Sequence, residues 1–283
     1  MNKLLSIVFY GKNPTAEGSR FLRACTTFSN SGPLPFVFVD ALFRGHSDLT
    51  LLPRSVAYIS MYLLGWSPLF WVLAPYLLGK GQNETKSAAE KRRELFTRVF
   101  SPPILGSIAG LAVGANSPLM CMLQNGGILN PLYEALRTLG AGYLPAVLLV
   151  LSGSLLPGPP SKEETLTASQ NSSESSSSSW VPLVKEVVAI LASRFLFMPY
   201  VGLFLLSGKI PFLAAAVRDP LLLFILLLET CMPSAQNLTV ILQLQGDRFA
   251  AARMARLLLL VYVLGVPAMS FWLSRILLVS RVI

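Results

Sequence analysis

"ETCMPSAQNLTV" (residues 229–240) interrupts one of the most apolar parts of this 283-residue chain. "PLLLFILLL" (220–228) leads into it, and "ILQLQ" (241–245), a short basic turn and "LLLLVYVLGV" (257–266) follow. A run that long and apolar belongs in a bilayer, where each backbone polar group must find a partner in the protein or in a water-filled cavity. A proline, a serine, a glutamine and an asparagine at its middle mark a broken helix, and the break reads as a binding element.

The whole composition points the same way. Hydrophobic residues make up 53% of the chain and charged residues 13%, which excludes an ordinary soluble domain and a disordered chain. "MNKLLSIVFYGKNP" has no small-residue cleavage site, so the first helix is expected to act as the insertion signal. Cys25, Cys121 and Cys231 lie far apart in apolar sequence and read as small packing residues rather than a metal or disulfide set. His46 is the sole histidine, which argues against a metalloprotease, a haem protein or a histidine relay. The net charge of +9 reads through the positive-inside rule, not as a nucleic-acid footprint. No cofactor and no metal are expected.

About seven spanning helices are expected from stretches of ~20 apolar residues. They fall at 20–43 (broken near 29–35), 54–78, 101–115, 139–156, 182–207, 219–245 (broken near 232–237) and 255–279. A polar, basic linker occupies 79–98, an interfacial amphipathic helix is expected at 128–138, and the serine-rich stretch 157–179 reads as a disordered loop. Gly106, Gly110 and Gly114 form a ridge suited to close helix packing, either within the chain or in a homodimer. Lysines and arginines concentrate in the linker (Lys80, Lys86, Lys91, Arg92, Arg93, Arg98), in the N-terminal segment (Lys12, Arg20, Arg23) and in the turn with Arg248, Arg253 and Arg256. The opposite loops carry Arg44, Arg54, Arg137, Lys209 and Arg218. The linker and the serine-rich loop are therefore expected in the cytosol, and the C-terminus on the other side.

A second stretch, "FSNSGPLPFVF" (28–38), repeats the pattern of the first: prolines, an asparagine and small residues within an apolar run. Prolines in membrane helices also produce simple kinks, but two interruptions of one type in corresponding segments point to a transporter site. Each half-helix that starts at a break offers unpaired N–H groups and the positive end of its dipole, which suits a carboxylate. Asn30 and Asn237 are the leading candidates to bind substrate, with Gln236 and Ser29 behind them. Pro33, Pro35 and Pro233 are the helix breakers. Glu229 and Arg194 are ionisable groups at membrane depth, read either as an ion pair or as groups that tune substrate charge. Asp40 is expected to reach water. Lys185 and Glu186 are expected at the interface, with Lys185 snorkelling. Tyr58 and Tyr62 are the only residues of the aromatic second span considered as substrate-facing.

"SNSGPLP" resembles the "GN-x-GNLP" stretch of the PIN-likes auxin carriers, and "MPSAQNLTVILQL" resembles their "PP-A-MN" stretch. "GAGYLPAVLLVLSGSL" (140–155) is also similar to that family's seventh helix. Pro33 stands where the motif has an asparagine, and Ser234 where it has a second proline. The resemblance is to the auxin efflux carrier family, and it implies an all-α integral membrane transporter of about ten helices in two inverted repeats, whose broken helices cross near the midplane. On that reading residues 1–78 are a partial first repeat, truncated at the N-terminus with 1–12 as a remnant, and 99–283 are a complete second repeat.

The expected function is carriage of an amphipathic organic anion, with auxin-like indole carboxylates as the class the resemblance implies. The partners are then a small organic anion and membrane lipids. The alternative is a truncated, non-transporting subunit that acts by interaction. An enzyme is not expected, since Ser152 and Ser154 beside Gly153 lack the strand–turn–helix context of a nucleophile elbow. The resemblance also implies the endoplasmic reticulum membrane, with the plasma membrane as the alternative.

Overall fold

In the computed structural model the residues described are 16–79, 93, 102–124, 126–142, 145–146, 149, 152–153, 180–207 and 218–282. The proposed 1–12 remnant, nearly all of the 79–98 linker, most of the 139–156 span and the 157–179 loop lie outside them. The described residues are helical, joined by turns and one isolated two-residue bridge. They fall into two compact units, one drawn from 1–30 and 151–283, the other from 31–150.

In the first unit, α1 (Ala16–Thr27) ends where the first interruption begins. The fifth expected span starts with α7 (Trp180–Ala192), runs through a π-helical stretch at Ser193–Phe197, and ends as α8 (Met198–Leu205). The sixth is split into α9 (Pro220–Thr230) and α10 (Asn237–Leu244). The seventh is α11 (Arg248–Ser280).

Local chemistry sets these boundaries. Asp219 caps α9 by accepting from the N–H groups of Leu221 (2.9 Å) and Leu222 (3.4 Å), with Pro220 in the first turn where its missing N–H costs nothing. Asp247 caps α11 in the same way through Ala250 at 3.1 Å. With 11 and 8 residues, α9 and α10 are about 16 and 12 Å long, each near half of a ~30 Å hydrocarbon core. A span built from the two would place the break between them near mid-depth.

The packing of this unit is tight at two glycines. A Cβ on Gly202 would come within 2.7 Å of Thr230 Cγ2, and one on Gly265 within 2.8 Å of the Phe195 ring. Phe195 lies in the π-helical stretch, and its carbonyl accepts the Trp272 indole N–H at 2.6 Å. A π-bulge displaces one backbone carbonyl from the helical ladder, and here the indole satisfies it.

Glu186 departs from the sequence reading. Its side chain is fully buried, not interfacial, and pairs with Arg253 of α11 at 2.6 Å. The Arg253 guanidinium also lies 5.2 Å from the centroid of the Phe21 ring on α1. Lys185 is exposed, as expected.

The second unit holds α2 (Pro33–Phe43), α3 (Leu51–Leu78), α4 (Pro102–Gly114), α5 (Ser117–Leu123) and α6 (Asn130–Ala141). Asp40 pairs with Arg44 at 2.6 Å in an exposed setting. Cys121 is exposed, unlike the buried Cys25 and Cys231. A Cβ on Gly106, Gly110 or Gly114 would meet nothing within 4 Å among the described residues, so the ridge packs against none of them. α6, close to the expected amphipathic helix, exposes Leu132, Leu136 and Leu139.

Among the described residues three helices are long and apolar enough to cross a membrane: Leu51–Leu78, Leu183–Leu205 and Arg248–Ser280. Two shorter apolar helices, Pro33–Phe43 and Pro220–Thr230, adjoin the interruptions. The chain is an all-α integral membrane protein.

Candidate functional site

The two interruptions meet in the first unit. Ser29 and Ser234 form an antiparallel bridge. The N–H of Asn30 donates to the Pro233 carbonyl at 2.7 Å, and the N–H of Ala235 donates to the Phe28 carbonyl at 2.9 Å. Two stretches that could not complete a helix thus complete each other, which is the only inexpensive arrangement for non-helical backbone away from water.

Two of the carbonyls at the end of α1 are accounted for as well. The Ala24 carbonyl accepts the Phe28 N–H at 3.0 Å. That of Cys25 accepts both the Ser234 hydroxyl at 2.8 Å and the Arg194 Nε–H at 3.1 Å. Arg194, 2% exposed, thus brings a buried guanidinium to the negative end of the α1 dipole. Ser234, which stands where the family motif has proline, supplies a donor that proline lacks. Pro233 has no N–H to leave unpaired, so the break there costs one donor fewer.

The remaining candidates divide. Ser29 and Asn30 are buried within the crossing. Gln236 is also buried, and its Nε2 has no hydrogen-bond partner among the described residues. Asn237 is the first residue of α10 and half-buried. Glu229 is buried in the last turn of α9. Pro33 and Pro35 sit in the first turn of α2, where they start a helix rather than bend one, and belong to the second unit with Tyr58 and Tyr62.

One residue of the crossing was not among the sequence candidates. The Tyr262 phenol on α11 receives a hydrogen bond from Asn30 Nδ2 at 2.6 Å and donates to the Ser234 carbonyl at 3.0 Å. The signal was present: in "LLLLVYVLGV" Tyr262 is the one side chain with a hydrogen-bonding group, and a buried tyrosine hydroxyl needs a partner.

A crossing of two broken apolar segments is a transporter feature, and a family profile described as "Membrane transport protein" matches residues 3–273. The chain belongs to this family. Among curated proteins of Arabidopsis thaliana, Protein PIN-LIKES 1 is 30% identical over 171 residues, which is 60% of this chain and 32% of that protein. Protein PIN-LIKES 4 is 27% identical over 177 residues, 62% of this chain and 38% of that protein. Protein PIN-LIKES 5 is 27% identical over 182 residues, 63% and 40% respectively. The matched stretch spans 32–40% of these relatives' length. No solved structure matches. The membrane transport family is not an enzyme family, and the resemblance to the PIN-likes branch read from the two motifs is borne out.

As chemistry, the crossing offers donors rather than a reactive group. The N–H groups of Leu238 and Thr239 at the start of α10 are taken by the Ala235 and Gln236 carbonyls at 3.3 and 3.1 Å, so the donor on offer is the buried Gln236 amide nitrogen, with Arg194 placing positive charge nearby through Cys25. Such an environment attracts an anion without committing a counter-charge to it.

Proposed function

We propose that the chain is a carrier for an amphipathic organic anion, with indole-type carboxylates as the substrate class, and that the crossing is its binding site. The observation that carries this reading is the Nε2 of Gln236, 3% exposed and without a hydrogen-bond partner among the described residues, at the start of α10 in the midst of the paired interruptions. An amide nitrogen buried without an acceptor costs about 1–3 kcal/mol, a cost that a bound carboxylate would remove. Asn237, beside it, adds a second amide at the same helix start. Alternating access around the two broken helices would expose this site to each side of the membrane in turn.

Export of labelled indole-3-acetate from cells expressing the full chain tests the proposal. Gln236→Met and Asn237→Ala are expected to lower transport at least tenfold, about 1.4 kcal/mol of lost binding. Unchanged export in both variants sinks the site assignment. Residence in the endoplasmic reticulum membrane belongs to the same proposal, and a fluorescent tag placed within 157–179 would distinguish it from the plasma membrane.

A second reading, a non-transporting interaction subunit, draws on the 32–40% of the relatives' length that the chain matches. Purification separates the two. A required membrane partner favours the subunit, and transport by the purified chain in liposomes favours the carrier.

A further inference from the structure

Tyr262 is far in sequence from both interruptions, yet its phenolic oxygen makes one hydrogen bond to each. The donor count fixes their directions. A carbonyl oxygen can only accept, so the single phenolic proton is committed to Ser234. The phenolic oxygen must then accept from Asn30, and only the nitrogen of that amide can donate. With the amide turned over, two acceptors would face each other at the 2.6 Å separation that the structure shows. The amide is planar, so its Oδ1 lies on the side away from the phenol.

We infer that Tyr262 is a positioning residue that clasps the two interruptions and holds the Asn30 amide so that it offers its oxygen, an acceptor, to the substrate. The inference rests on the carrier reading and narrows its substrate class. The carboxylate takes its donor from the Gln236 amide, while Asn30 reads an N–H or O–H group elsewhere on the same molecule. An indole acid with a free ring N–H satisfies both demands, and its N-methylated analogue satisfies only the first. An asparagine at a helix break reads from sequence alone as a donor to the carboxylate, the opposite task. The partner that reverses it sits 232 residues away.

The test uses the full chain in liposomes, with labelled indole-3-acetate and 1-methylindole-3-acetate as probes. Wild type is expected to favour the free N–H compound by on the order of tenfold in KM, the worth of one hydrogen bond to a site built for it. In Tyr262→Phe the amide is free to turn over, so this preference, read as the ratio of the two KM values, collapses toward parity. Asn30→Leu, which removes the amide altogether, loses the preference too and serves if Tyr262→Phe does not accumulate. Melting of the detergent-purified proteins adds a readout that needs no substrate. Each single variant lowers the melting temperature, and the double variant falls no further than the worse single. Additive melting shifts overturn the clasp. Coupled melting with the N–H preference intact in Tyr262→Phe reduces Tyr262 to a structural residue and overturns the positioning role. Absence of transport in wild type sinks the carrier reading and this role with it, whereas transport in wild type without the preference sinks this inference alone.

Discussion

Ser29 and Ser234 face each other as a non-hydrogen-bonded pair in a two-residue antiparallel ladder, flanked by the Asn30–Pro233 and Ala235–Phe28 bonds. Such pairs hold their Cα atoms about 4.5 Å apart, the closest approach in an antiparallel ladder. The bridge joins segments more than two hundred residues apart, and it lets both helices stop within the apolar part of the chain without stranding their ends.

That closeness predicts a cross-link. In a background lacking Cys25, Cys121 and Cys231, Ser29→Cys with Ser234→Cys is expected to form a disulfide under mild oxidation, since the separation falls in the range disulfides accept. Protease cleavage within 157–179 followed by electrophoresis reads it out. The two fragments stay joined until reductant is added, and fragments that separate without reductant would show that the interruptions do not cross.

Gln236→Met should raise the apparent melting temperature even as it lowers transport. Methionine matches glutamine in length and leaves no buried amide without a partner, so roughly 1 kcal/mol of stability is gained. A site that holds a polar group at the expense of stability is a functional one. A fall in melting temperature would mean that the amide already has a partner in the folded protein.

The interruptions were legible because proline and asparagine are conspicuous in apolar sequence, and each such residue has a local meaning there. What joins them was not. Tyr262 and Arg194 stand out as polar groups in apolar helices, but nothing in either sequence says that they act on the crossing, and nothing in "ASRFLFM" (192–198) announces a π-helical stretch. Glu186 was misplaced for a related reason. A charge near a helix start reads as interfacial until a partner from another helix covers it, and Arg253 is 67 positions away. The glycines show the same limit. The regular ridge at Gly106, Gly110 and Gly114 is conspicuous, while the close contacts with side chains of other helices are at Gly202 and Gly265, which stand in no pattern.

Those two glycines give a steric prediction. Gly202→Ala drives a methyl group into Thr230, and Gly265→Ala drives one into the Phe195 ring, each costing about 1–3 kcal/mol. Pairing Gly202→Ala with Thr230→Ala should restore much of the lost melting temperature, because the second change removes the atoms in the way. Gly106→Ala and Gly110→Ala, where a Cβ meets nothing within 4 Å among the described residues, should be neutral in the monomer. Failure of the paired variant to recover would show that the two sites do not pack together.

The buried ion pair predicts an asymmetry. Arg253→Ala leaves Glu186 charged and covered, costing roughly 3 kcal/mol, whereas Glu186→Gln with Arg253→Met removes both charges and should cost far less. Thermal unfolding of the three purified proteins decides it. If the double variant is as unstable as the single, the stability lies in the Arg253 contact with Phe21 and not in the charges.

The last prediction is the orientation of the chain, on which the side of substrate entry depends. Asn83-Glu-Thr and Asn171-Ser-Ser both match the glycosylation acceptor pattern and lie in polar stretches of sequence. The distribution of lysine and arginine puts both on the cytosolic side, beyond reach of the lumenal transferase. Removing Arg253 from the count, since it is paired with Glu186, leaves the six basic residues of the 79–98 linker in place and the inference intact. Asn237-Leu-Thr matches as well, but Asn237 opens α10 at the crossing, at membrane depth. Expression in a eukaryotic cell should therefore give no glycosidase-sensitive change in mass. A mass shift that Asn83→Gln or Asn171→Gln abolishes would invert the orientation, and the crossing would then open first to the opposite side.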